Sequence, residues 1–158
     1  MEIAKLKPED IIATYKKDIE SLIKYIEWFD EQKDVYEETY YKQDNLPQNM
    51  RIPTYSSTLL AFIKAVQKTK LIDRNYRYAY SRNHIRSVED ELVYIKNAKL
   101  ENINVLMAII SSYVLRGMTK GKVWNDGVMN CVFLECLIKL KSIIEPPENI
   151  LDEIRNSI

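Results

Sequence analysis

Ile12, Tyr15, Ile19, Leu22, Ile26 and Phe29 recur at alternating spacings of three and four residues, and the same register continues past Lys33 through Tyr36 and Tyr40. A helix brings residues so spaced onto one face, so the pattern predicts a single long helix over residues 8–42. Pro8 suits its first turn, where a missing N–H costs nothing, and Glu9 and Asp10 lie where the positive end of the helix dipole favours acid. Such a stripe either faces a core or runs past the domain to meet a partner, and its extension through Tyr36 and Tyr40 suggests a homodimer.

Residues 43–56 carry Pro47 and Pro53 without apolar periodicity and read as a loop, with Ser56 or Ser57 placed to cap the next helix. Leu59, Leu60, Phe62, Ile63 and Val66 give that helix its buried face. The stretch 73–99 reads as one or two helices; Ser87 followed by Asp90 has the N-cap pattern, and Val88, Leu92 and Ile95 face inward. Asn102 is placed to cap a helix from Ile103 to Val114 that is apolar on nearly every side and therefore central. Gly117 and Gly121 close it, a short helical turn follows over 124–129, and a helix over 131–144 ends before Pro146 and Pro147. A last amphipathic helix over 147–156 presents Ile150, Leu151 and Ile154. The expected fold is all-α: a compact single-domain bundle of about five to seven helices, with residues 57–145 as its core and a long N-terminal helix across it.

Composition agrees with that reading. A chain of 158 residues is the size of one domain, and 3 glycines and 5 prolines are too few for a turn-rich β architecture. The longest apolar run, Val105 to Ile110, is far short of the roughly 20 residues of a membrane span, and the first residues lack the apolar stretch of a signal peptide. A cytoplasmic protein without a membrane partner is expected. Cys131 and Cys136 sit five apart, roughly 140° around one predicted helix, which suits reduced core thiols better than a disulfide or a shared metal.

The motifs of common enzymes are missing. With His84 as the lone histidine there is no multi-histidine metal site, and no HExxH, CxxC, GxSxG or phosphate-loop pattern occurs. No catalytic residue, metal or cofactor is therefore expected. Glu89, Asp90 and Glu91 read as a solvated acidic first turn. The polar grouping that an enzyme reading would need is Arg116, Trp124, Asn125 and Asp126, at the glycine-bounded turn.

Net charge is zero, but its distribution is uneven. Between Glu27 and Asp44 seven acids, among them Glu31, Asp34 and Glu38, face only Lys33 and Lys42. Between Lys64 and Val88 the balance inverts: Lys64, Lys68, Lys70, Arg74, Arg77, Arg82 and Arg86 face only Asp73, with Tyr76, Tyr78 and Tyr80 interleaved and His84 beside Arg82 and Arg86. Guanidinium forks and aromatic faces together suit phosphate contact and base stacking. The competing reading is structural or protein-facing, since three tyrosines spaced by two cannot share a helix face and the basic segment can dock on the acidic one.

The segments RIPTYSSTLLAFIKAVQKTKLID and VLMAIISSYVLRGMTKGKVWNDGVMNCVFLECLIKL resemble the family catalogued as domain of unknown function 6508, small helical proteins mainly of bacteria and phages. The resemblance covers about Ile19 to Ile144 and rests on Tyr55, Ser56, Phe62, Ile63, Arg116, Gly117, Gly121, Trp124, Phe133, Leu137 and Leu140. Met118, Thr119 and Lys120 stand where the family has a second basic residue and then an aromatic. The resemblance implies a helical fold and a bacterial or mobile-element origin, and no activity. Together these readings favour a non-enzymatic regulator or inhibitor that binds a protein partner. The alternative is an RNA- or DNA-binding protein using the basic segment 74–86.

Overall fold

The computed structural model describes residues 8–33 and 55–144, which form eight α-helices and one 3₁₀ turn with no strand among them. In chain order they are α1 (Pro8–Ile23), α2 (Ile26–Gln32), α3 (Ser57–Gln67), α4 (Tyr76–Arg82), α5 (Val88–Asn97), the turn Leu100–Asn102, α6 (Ile103–Gly117), α7 (Lys122–Met129) and α8 (Val132–Ile144). The all-α expectation holds. The helix number exceeds five to seven because the N-terminal stripe is divided, 73–99 forms two helices, and α7 is a full helix.

Side-chain capping sets two of the starts. Ser56 Oγ accepts from Thr58 N–H, and Ser87 Oγ accepts from Asp90 N–H at 3.1 Å. Asn102 does not cap α6 with its side chain; its Oδ1 accepts from Lys99 N–H and closes the preceding 3₁₀ turn instead.

α6 is the central element: Ile103, Leu106, Ala108, Ile109, Ile110 and Val114 are fully buried. It carries α4 on one side and α7 and α8 on others, while α8 in turn supports α1, α2 and α5. Where these helices meet, Phe133 of α8 lies 5.2 Å from Phe62, 5.6 Å from Phe29 and 5.8 Å from Tyr113, ring centre to ring centre. This aromatic junction ties α2, α3, α6 and α8 together. Gly127 of α7 lets the Phe133 ring approach, since a methyl group there would stand 2.5 Å from it.

The single long first helix is corrected over its described part. It breaks at Lys24–Tyr25, where Tyr25 N–H bonds back to Leu22 O in a tighter turn. One such turn hardly shifts the phase of the stripe, so Ile19, Leu22 and Phe29 are all buried across the break. Asp34, Glu38, Tyr36, Tyr40, the 43–54 part of the loop and the helix expected over 147–156 lie outside the described residues, as does the dimer surface read from the two tyrosines.

Cys131 and Cys136 do not share a helix. Cys131 precedes α8 in left-handed backbone at φ 62°, and its N–H bonds to Val128 O, closing the end of α7. Neither cysteine is in a disulfide; Cys136 is fully buried, and that burial pushes its thiol well above the usual range. No helix among the described residues is long and apolar enough to cross a membrane, and no group of three or more His, Cys, Asp or Glu among them is arranged to hold a metal.

Candidate functional site

The seven residues of α4 divide the basic segment between two faces. Ala79 turns inward, Tyr76, Arg77 and Tyr80 look toward α5 and α6, and Tyr78 and Arg82 stand on the opposite side, where the Arg82 guanidinium donates to Tyr78 Oη at 3.1 Å. The interleaved tyrosines thus separate as helical geometry requires: Tyr80 is half-buried and Tyr78 is 59% exposed.

The helix ends in a Schellman turn, with Ile85 N–H bonding to Tyr80 O and His84 N–H to Ser81 O. That places His84 in left-handed backbone at φ 55° and drives Ile85 into the core. His84 therefore holds the corner, and its ring lines a separate hollow with Asn83, Asp90 and Asn97.

Between α4, α5 and α6 lies an open cleft of about 450 Å³. Its floor is Glu91, only 4% exposed, whose two carboxylate oxygens accept from two tyrosine hydroxyls: Tyr113 O–H from α6 at 2.6 Å on Oε1, and Tyr80 O–H from α4 on Oε2. A buried carboxylate is tolerable when it is hydrogen-bonded in this way. Burial, and then the Glu91 charge, raise both tyrosine hydroxyls far above their usual pKa, so they stay protonated as donors. Glu91 departs from the solvated reading of its acidic turn. The signal was available: it shares the inward stripe of Val88, Leu92 and Ile95, at helical spacing.

The rim is basic. Arg77 comes from α4, Arg86 from the turn before α5, and Arg116 from the end of α6. The Arg116 Nε–H donates to Ser112 O and Oγ at 3.1 and 3.0 Å, and its guanidinium lies 5.0 Å over the Tyr113 ring. This arrangement holds the guanidinium plane in place at the rim of the cleft. Arg77 lies 6.0 Å over the Tyr76 ring, and Tyr76 meets Tyr80 edge to face. None of the three arginines forms an ion pair among the described residues, although the Glu91 carboxylate shares their cleft and Arg116 interacts electrostatically with Asp126.

The structure thus joins Arg77, Tyr80 and Arg86 of the basic segment to Arg116, which the sequence placed in a separate polar turn. Arg74, exposed before α4, stays outside the cleft with Tyr78, Arg82 and His84, and Glu31 is exposed on α2. Trp124 and Asp126 do not line it either. Trp124 anchors the turn: its indole N–H donates to Val114 O at 3.0 Å, and its ring packs edge to face on Tyr55. Asp126 is partly buried, which raises its carboxyl pKa, while the charges of Lys122 and Arg116 act in the opposite sense.

The two glycines of this turn provide space. A methyl group on Gly117 would stand 2.0 Å from the Trp124 ring, and one on Gly121 would stand 1.8 Å from the Tyr55 hydroxyl. Gly117→Ala is therefore expected to destabilise the protein by about 1–3 kcal/mol through overpacking, despite the roughly 1 kcal/mol helix preference of alanine. Thermal unfolding followed by tryptophan emission checks this, and an unchanged or raised midpoint would refute the close-packing role.

No family model matches the chain, and no curated protein or solved structure matches it.

Proposed function

We propose that the protein is a non-enzymatic binding module for an anionic macromolecule, and that single-stranded nucleic acid is the occupant its geometry supports best. The observation that carries this reading is the convergence of Arg77, Arg86 and Arg116, none of them in an ion pair among the described residues, on one tyrosine-walled cleft. Guanidinium groups track a phosphate backbone while aromatic faces take bases, a combination that serves single strands without needing a duplex groove. The exposed Tyr78–Arg82 pair on the far side of α4 offers the next contact along a strand.

A 12-nucleotide uridine tract carrying a fluorophore tests the reading by anisotropy. Arg77→Ala with Arg86→Ala is expected to weaken binding at least tenfold and to make the logarithmic salt dependence shallower by about 0.7 for each phosphate no longer neutralised. Salt-insensitive binding, or none, would remove the nucleic-acid reading.

A protein partner is the second reading. Glu27, Asp30 and Glu31 form an exposed acidic run on α2, and the overall charge of zero with a pI near 6.6 is low for a general nucleic-acid binder. Arginine and tyrosine are also favoured at protein interfaces. A partner recovered from nuclease-treated bacterial lysate supports this reading.

A further inference from the structure

The chemistry of the cleft changes with depth. At the rim, Arg77, Arg86 and Arg116 offer only donors and positive charge. At the floor, Glu91 offers only acceptors, and the hydroxyl protons of Tyr80 and Tyr113 are already committed to it. An ionised carboxylate has about four acceptor positions. One tyrosine occupies each oxygen, so each oxygen retains a further acceptor position.

Electrostatics narrows what can enter. An anionic group pushed to the floor meets the Glu91 charge, and a lysine or arginine side chain must pass three guanidinium groups at the rim. A ligand that fits both levels is neutral and rich in N–H donors at its inner end, anionic at its outer end, and flat enough for tyrosine walls. A nucleotide has that construction, and the cleft lies within the volume range of small-ligand sites. Among the common bases, guanine alone places two adjacent donors, N1–H and the N2 amino group, on its Watson–Crick edge, the pairing that suits the two oxygens of a carboxylate. Adenine and cytosine set an acceptor beside their amino group, which would face Glu91 unfavourably.

We infer that the cleft is a guanine-selective nucleotide pocket, with the base edge on Glu91 and its phosphate among Arg77, Arg86 and Arg116. This rests on the nucleic-acid reading above and adds base selection to it. No covalent chemistry is involved.

The test uses the full chain and uridine 12-mers with one central guanosine, inosine or adenosine. Inosine keeps N1–H but lacks the N2 amino group. The guanosine oligomer is expected to bind about tenfold tighter than either of the others, the scale of one bidentate base contact. Glu91→Gln, which offers a single acceptor oxygen, is expected to abolish that difference. The inosine comparison needs no substitution and so stands even if the variant folds poorly. Equal affinity for all three oligomers, with salt-dependent binding retained, overturns guanine selection and leaves the nucleic-acid reading standing. A guanosine preference that survives in folded Glu91→Gln overturns the assignment to Glu91. Failure to bind any oligomer overturns both.

Discussion

Phe133→Ala is expected to lower the free energy of unfolding by about 3–5 kcal/mol, the range for emptying a large aromatic site in a core. The ring is fully buried and meets Phe29, Phe62 and Tyr113 from three other helices, so truncation removes three aromatic pairings, each worth about 0.5–1.5 kcal/mol beyond buried area. Gly127, which lies against the ring, has no side chain to fill the cavity left behind. Domains are stable by only about 5–15 kcal/mol, so the variant should unfold at a much lower urea concentration with a similar slope. A destabilisation below about 1 kcal/mol would show that the junction does not hold these helices together.

Alkaline pH should unfold the protein through Tyr80 and Tyr113. Both hydroxyls are raised above their usual value of 10.0 by burial and then by the Glu91 carboxylate. Above about pH 10 the unfolded chain gives up these protons while the folded protein keeps them, so unfolding releases protons and rising pH favours it. The stabilisation is fully present below pH 10 and is lost as pH climbs toward the raised values. For each tyrosine the slope is about 1.4 kcal/mol per pH unit. Chemical unfolding at intervals from about pH 8 to pH 12 should therefore show a level region and then a steep fall. Tyr80→Phe should start lower, by about 1–3 kcal/mol for removing a hydrogen bond to the Glu91 carboxylate, and fall less steeply. Equal wild-type stability at both ends of the range would contradict the protonated, buried state of the pair.

Much of the fold was legible because burial leaves a periodic trace. The apolar circumference of α6 announced its central place, and Ser87 with Asp90 announced the start of α5. What escaped was local or long-range. The break at Lys24–Tyr25 hides inside an intact stripe, since a single tighter turn keeps the apolar residues nearly in phase. Cys131 sits in left-handed backbone that residue type does not advertise, because cysteine is not among the residues that favour it. Gly117 and Gly121 were readable as punctuation, yet their use is to admit the rings of Trp124 and Tyr55.

The cleft was half legible. Composition drew attention to the basic segment, and helical geometry divided its tyrosines, but Arg116 joins Arg77 and Arg86 only through the packing of α4 on α6. The burial of Glu91 is masked in the sequence because acids in a first helical turn are ordinarily exposed.

Glu91 also works as a cross-pin. It stands on α5, receives one hydroxyl from α4 and one from α6, and so fastens three helices that no disulfide joins. The proposed ligand selection and the joining of the three helices thus rest on the same two oxygen atoms. A mutational path that changes what the floor recognises must therefore cross sequences with a looser scaffold, and compensating substitutions would be expected in the α4–α6 packing rather than among the arginines.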